Sequence, residues 1–295
     1  MWEQLADLYA TYESTLAYIG INSLLALSVY ATLSCGQLAL GNAGFMAIGA
    51  YAATLLTKEL GAPFPCALAA AIALPALVAV PLGLPVLRLR GVFLAIATIG
   101  FGEVVRLCLV NWELVNGAQG IVAIPQKTAI WMIVLALAAA LYGFRQLRGS
   151  RWGLALEAIR EDEPAARTMG IPTTAYKLAL LVVGAALAGL AGALEAHFTF
   201  MVAPNGFSFG RVVDMLVFAV VGGAQVFFGP VVGAAFLTVL PELLREVAPL
   251  VGIDPGPLRL MVNGLVLLAV ILFLPNGIVS LPGRLRARRR ARRTA

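Results

Sequence analysis

From Pro63 to Leu87 the chain carries no charged side chain. A helix needs about 20 mostly apolar residues to cross the hydrocarbon core of a bilayer, and this run supplies them without interruption. Comparable runs lie near 14–34, 37–57, 92–111, 129–145, 178–201, 226–246 and 258–274. A shorter, glycine-bounded run at 211–222 suits a half-helix or a re-entrant piece. Only 12% of the 295 residues are charged and 61% are hydrophobic, whereas soluble domains use about 25% charged residues to cover their surface. The sequence therefore predicts an all-α polytopic membrane protein of about nine spanning helices, with eight and ten as alternatives.

The basic residues supply the orientation, because short cytoplasmic loops are enriched in Lys and Arg. Three clusters stand out: Arg88 and Arg90; the stretch 145–177 with Arg145, Arg148, Arg151, Arg160, Arg167 and Lys177; and a tail with Arg284, Arg286, Arg288, Arg289, Arg290, Arg292 and Arg293. With nine spans all three fall on one side, which is then the cytoplasm, and the N-terminus falls outside. No Lys or Arg precedes the first apolar run, so the N-terminus lacks the charged region of a signal peptide and is expected to be retained. This divides the chain into one membrane domain, residues 1–283 with a cytoplasmic loop at 145–177, and a basic tail, 284–295. A basic tail directly after a span fixes topology and touches anionic lipid, which is preferred here to nucleic-acid binding.

Several chemistries find no support. There is no GxxxxGK[ST] motif for nucleotide phosphates and no nucleophile–base pair, so the chain is not expected to be an enzyme or to hold a cofactor or metal itself. Cys35, Cys66 and Cys108 lie in apolar runs without metal or redox spacing and are expected to be small buried residues. The single histidine, His197, is expected at the outer end of its helix near Glu195. Ionisable groups within spans are costly unless paired. Glu103 and Arg106 are three residues apart and can neutralise one another, either as a structural pair facing the bundle interior or as a pair that changes partners. Arg211 and Asp214 are spaced likewise.

Two glycine-rich stretches, GQLALGNAGFMAIGAYAA and VVGGAQVFFGPVVGAAF, are the candidates for broken segments lining a solute path. Small residues also let helix backbones approach closely, and both roles fit. The path residues read from these stretches are Gln37, Gly41, Asn42, Gly44, Gly223, Gln225 and Gly229, with Glu103 added as an intramembrane charge. Gln37-x-x-x-Gly41 and Gln225-x-x-x-Gly229 open runs that travel in the same direction. A parallel internal repeat and chance likeness between Gly- and Ala-rich helices account for this equally well.

The segment REDEPAARTMGIP, 160–172, is the polar exception in the middle of the chain. Asp162 or Glu163 can cap a short helix, and Pro164 suits its first turn, where a missing N–H costs nothing. The acids Glu161, Asp162 and Glu163 complement the positive end of the helix dipole, and Arg167 the negative end. Gly170 suits the left-handed position past the end, and Pro172 stops continuation. So short a helix is marginal alone and needs something to pack against.

RWGLALEAIREDEPAARTMGI resembles the cytoplasmic coupling segment of bacterial ABC-importer permeases, specifically branched-chain amino acid permeases of the LivM type. The blocks GNAGFMAIGAYAATLL, GVFLAIATIGFGEVVRL, GAQGI, YKLALLVVGAALAGLAGAL, VGGAQVFFGPVVGAAF and LFLPNGI are similar to that family in order. The resemblance implies that Glu163, Ala165, Ala166 and Gly170, with the flanking Arg160, Glu161, Asp162 and Arg167, dock into an ATPase subunit. It also implies a paralogous permease as heterodimer partner, two cytoplasmic ATPases that bind ATP and Mg, and an extracytoplasmic solute-binding protein. The solute would be leucine, isoleucine, valine or a related apolar amino acid, and the location the bacterial inner membrane. Urea or short-amide import is the alternative within the family, and a non-transporting membrane scaffold or sensor the alternative outside it. The sequence departs from the family pattern at Pro164, where an aliphatic residue is usual, at Asn42, where His or Gln is frequent, and at Val115-Asn116, which replace Thr-Gly.

Overall fold

The computed structural model describes the backbone of residues 2–251 and 264, and side chains over 12–240 and at 264. Apart from Gly264, the apolar run 258–274 and the basic tail 284–295 lie outside the described residues. The order is α1 (Trp2–Leu33), α2 (Asn42–Lys58), α3 (Phe64–Val86), α4 (Val92–Val110), α5 (Ile130–Arg148), α6 (Arg151–Glu161), α7 (Glu163–Thr168), α8 (Thr173–Thr199), α9 (Phe209–Gly222) and α10 (Gly229–Val251). Two-residue strands, β1 (Ile121–Val122) and β2 (Met201–Val202), pair antiparallel, Ile121 opposite Val202.

Among the described residues five helices are long and apolar enough to cross a membrane: residues 12–33 of α1, then α3, α4, α5 and α8. α2 and α9 are shorter than a full span, at 17 and 14 residues. The cause at α2 is visible. The chain leaves α1 at Leu33, turns through Gly36 at φ +75°, and runs without helical structure through Gln37–Gly41 before α2 begins. That crossover is buried, and the Leu40 N–H donates to Thr98 Oγ1 of α4 at 2.9 Å. A backbone group deprived of its helical partner must find another in lipid, and Thr98 supplies it.

α8 is the hub, packed against α1, α2 and α3. Its sequence explains this. Gly184, Gly189 and Gly192 remove side chains from the faces turned to its neighbours, and a Cβ on Gly49 of α2 would collide with the backbone of Gly189. Close backbone approach through small residues is how helices pack where lipid removes the hydrophobic drive between them. Proline is tolerated within α3, at Pro75, Pro81 and Pro85, as membrane helices allow. Large apolar side chains such as Leu77, Phe93, Ile96 and Leu135 remain exposed on α3, α4 and α5. In water such a surface would aggregate; in a bilayer it is solvated by acyl chains. Two of the cysteines depart from expectation: Cys35 is buried, but Cys66 and Cys108 are exposed, on helices α3 and α4 whose flanks face outward.

The two ends of the bundle differ. At one end the last turns of α1, α3 and α5 and the first turn of α8 meet α6 and α7: Cys35, Leu156 and Leu180 form one buried cluster, and Gly83 sits beside Leu178 and Leu181. At the other end Lys58 Nζ donates to the Val122 carbonyl at 2.8 Å, and the β1–β2 ladder closes the surface. His197 is fully buried there, bonded to Thr57 Oγ1 and the Ala193 carbonyl, both at 2.9 Å.

Candidate functional site

α7 is built by short-range signals. Asp162 is its N-cap, with backbone outside the helical region, and its Oδ1 accepts from the Ala165 N–H at 3.0 Å. A cap of this kind contributes about 1 kcal/mol. Pro164 follows in the first turn. The far end is a Schellman closure: the Ile171 N–H donates to the Ala166 carbonyl at 3.1 Å and the Gly170 N–H to Arg167 at 3.0 Å. Gly170 stands at φ +82°, a conformation that glycine reaches without Cβ strain.

One network anchors this six-residue helix. Glu163 Oε1 accepts from Arg167 Nη2 at 2.7 Å and from Thr173 Oγ1 at 3.3 Å, and Oε2 accepts from Lys177 Nζ at 2.6 Å. Arg167 Nε also donates to Thr173 Oγ1, at 2.9 Å. Thr173 and Lys177 belong to the first turns of α8, so α7 is tied to the hub helix. Side-chain exposure is 17% for Glu163 and 13% for Lys177, low enough for the pair to matter more than a surface ion pair. Burial alone would raise the Glu163 carboxyl above its ordinary 4.5; the hydrogen bonds from Lys177 and Arg167 override it and hold the group below that value. Ala166 is buried, whereas Pro164, Ala165 and Met169 face outward.

The remaining segment residues fall differently. Arg160 and Glu161 belong to α6, not to the first turn of α7, so of the three acids only Asp162 and Glu163 sit at the α7 N-terminus. α6 itself was not anticipated as a helix. Its signal was available: Ala155, Leu156 and Ile159 form a buried face with helical spacing, and Ser150 caps it by accepting from Trp152 N–H. Lys177 and Thr173 were likewise missed as partners of Glu163, and no sequence pattern marks them.

The path candidates form two groups. Gln37, Gly41, Asn42 and Gly44 gather where the crossover and α2 meet α4. Asn42 Nδ2 donates to Ser28 Oγ at 2.8 Å, and a Cβ on Gly44 would come within 2.9 Å of Gly102 Cα. Gln37 is 3% exposed, and its Oε1 has no hydrogen-bond partner among the described residues. Glu103 follows Gly102 on α4 and pairs with Arg106 at 2.7 Å; the pair is part-exposed at 34% and 24%. Gly223, Gln225 and Gly229 lie at the α9–α10 turn. Gly223 takes φ +110° and touches the Gly229 backbone, while Gln225 faces the ends of α1, α5 and α6. Arg211 Nη2 donates to Glu195 Oε2 of α8 at 2.7 Å, a contact that spacing on one helix could not show.

Two family departures have structural reasons. Asn116 sits at φ +58°, where Asn is the best substitute for glycine, and Val115 is fully buried in the main core.

Comparison with known proteins places this geometry. The profile of the family described as branched-chain amino acid transport system / permease component matches residues 11–271. The chain is similar to the high-affinity branched-chain amino acid transport system permease protein LivM of Salmonella typhimurium, 35% identical over 268 residues, covering 79% of this chain and 63% of that protein. LivM of Escherichia coli K12 is similar to the same extent. The permease protein LivH of Salmonella typhimurium is 31% identical over 158 residues, 53% of this chain and 48% of that one. The chain thus spans about 63% of the length of the LivM relatives. Among solved structures, PsaBC from Streptococcus pneumoniae in complex with Fab shares the fold, with a TM-score of 0.51, 16% identity, and 94% of this chain and 97% of that chain covered.

Proposed function

Because the chain belongs to the family of permease components of branched-chain amino acid transport systems, we propose that it is a membrane-spanning subunit of an ABC importer for leucine, isoleucine, valine and related apolar amino acids. It works beside a paralogous permease, which the likeness to both LivM and LivH supports. Two cytoplasmic ATPases bind and hydrolyse ATP, and an extracytoplasmic binding protein delivers solute. The chain itself is not the catalyst.

The observation that carries this reading is the Glu163–Arg167–Thr173–Lys177 network. A short helix capped at both ends and bonded to α8 moves as one body with it. α8 in turn packs on α1, α2 and α3, so a displacement of α7 by an ATPase reaches the helices around the crossover 34–41. Packed interfaces of this kind switch between discrete arrangements and do not deform continuously. The α7 face is the cytoplasmic one in this reading: Arg88 and Arg90 follow α3 there, beside Arg145, Arg148 and Arg151, in accord with the positive-inside rule. The N-terminus of α1 is then extracytoplasmic. Nine spans result when α2 with its crossover, α9 and α10 count as crossings and the run 258–274 adds the last. Solute passes by Gln37, Asn42 and the Gly44–Gly102 contact, with Gln225 and its glycines lining the inner exit.

The test is reconstitution of the chain with its partner permease, ATPases and binding protein in proteoliposomes. ATP-dependent uptake of labelled leucine supports the reading. Uptake of urea in place of leucine would move the solute to the amide class, and ATPase binding without uptake of either would favour a scaffold.

A further inference from the structure

A pocket opens at the α7 face, between the last turn of α1, the end of α5, α6 and the α9–α10 turn, sharing Arg160 with the docking segment and Gln225 with the proposed inner exit. Its floor is apolar: Tyr30 and Phe144 are buried and meet edge-on with ring centroids 5.4 Å apart, beside buried Leu156. Its rim carries two exposed arginines, Arg148 and Arg160. Neither arginine has a carboxylate within 4.0 Å among the described residues. Glu157 also lines the rim, one turn before Arg160, yet pairs with neither; Gln225 completes the wall.

Backbone contacts set the position of both cations. A Cβ at Gly153 would come within 2.5 Å of the Arg148 carbonyl oxygen, so α6 begins pressed against the end of α5. Gly36, at φ +75°, brings the crossover against the Arg160 backbone, where a Cβ would sit 3.6 Å from its Cα. Two like charges on the rim of one pocket repel unless an anion joins them. Depth then narrows the choice of anion. Arg148 is the last residue of the spanning helix α5, so the rim lies at headgroup level. Phe144 and Tyr30 lie one turn deeper, on α5 and α1. A soluble anion would use the rim alone, whereas a phospholipid would use rim and floor together.

We propose that this pocket binds the phosphodiester of an anionic phospholipid from the leaflet at the α7 face, with Arg148 and Arg160 on the phosphate and the glycerol and first methylenes over Phe144 and Leu147. A zwitterionic lipid would bring its ammonium against the arginines and bind less well. Basic pockets between spanning helices are recurrent headgroup sites. The inference needs only that the chain sits in a bilayer, whatever its solute or its ATPase.

The test uses the full chain in detergent, titrated with phosphatidylglycerol or phosphatidylcholine and observed by native mass spectrometry. One phosphatidylglycerol is expected to be retained in preference to phosphatidylcholine. Arg148→Gln or Arg160→Gln lowers its affinity about fivefold each, the ratio that ~1 kcal/mol per basic residue at an anionic surface gives. Arg145→Gln, outside the pocket, leaves it unchanged. Thermal stabilisation by phosphatidylglycerol, lost in the double variant, gives a second readout that also reports folding. Equal retention of phosphatidylcholine, undiminished binding in the double variant, or an equal loss in Arg145→Gln would overturn the site. Displacement of the lipid by millimolar inorganic phosphate would overturn the lipid assignment in favour of a soluble anion.

Discussion

At the α7 face every charge of the short helix is accounted for: Asp162 caps, Glu163 bonds Arg167, Lys177 and Thr173, and Gly170 closes the end. A few residues away along α1, the crossover 34–41 is built the other way. It is largely buried from Gln37 to Gly41, its only described long-range backbone bond runs to Thr98, and the Gln37 carboxamide oxygen is left without a partner among the described residues. The first region spends polar groups on fixing one geometry. The second keeps a polar group in reserve inside an apolar bundle, held by glycine contacts that leave little slack. Under the proposed function, the rigid part belongs where force arrives and the unsatisfied part where solute is handled.

Four substitutions sharpen or break that contrast. The largest effect is expected at Gly49→Val, because the added side chain meets the Gly189 backbone and neither helix can yield. Overpacking of this kind costs about 3 kcal/mol or more, so thermal unfolding in detergent should show loss of the folded chain. Glu163→Lys comes next. It removes two ion pairs and sets a third cation between Arg167 and Lys177, so ATP-driven uptake should fall about tenfold or more at normal membrane abundance. That estimate takes ~1.5 kcal/mol for a charged hydrogen bond lost at the lever. Wild-type uptake in this variant would mean that α7 need not be tied to α8.

The pH dependence of the same contact follows from the lowered pKa of Glu163. Its contribution is fully present above the ordinary carboxylate value of 4.5 and is lost as pH falls through the lower folded value. Protection of the α7 amides, taken relative to their intrinsic exchange at each pH, should therefore hold at neutral pH and fall only under acid conditions, and in Glu163→Gln it should lose that acid step. Asp162→Ala is expected to have the smallest effect, about 1 kcal/mol from the lost cap, seen as faster amide exchange at Ala165 with global stability little changed.

The contrast also explains which parts of the fold were legible in the sequence. Helix α7 announces itself because its determinants are local: a cap at Asp162, a proline at 164 and a glycine stop at 170 act within about two turns. The apolar runs are legible for the same reason, since burial in lipid is a property of each segment alone. The Lys177 and Thr173 contacts lie 14 and 10 residues from Glu163, and only the turn through Gly170 and Pro172 brings them back. Gly49 and Gly189, or Gly44 and Gly102, are chemically indistinguishable from other glycines until helix pairing is known. Arg211 shows the same limit: its contact with Glu195 of α8 comes from tertiary packing and not from spacing on its own helix. The path residues sort into two groups for this reason too, since nothing in either glycine-rich stretch encodes that one meets α4 and the other α1.

The central claim is that α7 is where a separate motor takes hold. Met169 is 82% exposed at its end and Leu60 is 73% exposed near the opposite face. With Cys66 and Cys108 replaced by Ser, Met169→Cys and Leu60→Cys each provide one accessible described thiol for a short thiol-to-amine crosslinker in membranes carrying the assembled transporter. The account predicts a crosslink from Met169→Cys to the ATPase subunit and none from Leu60→Cys. A failure of Met169→Cys to reach the ATPase, or an ATPase crosslink from Leu60→Cys, would contradict it.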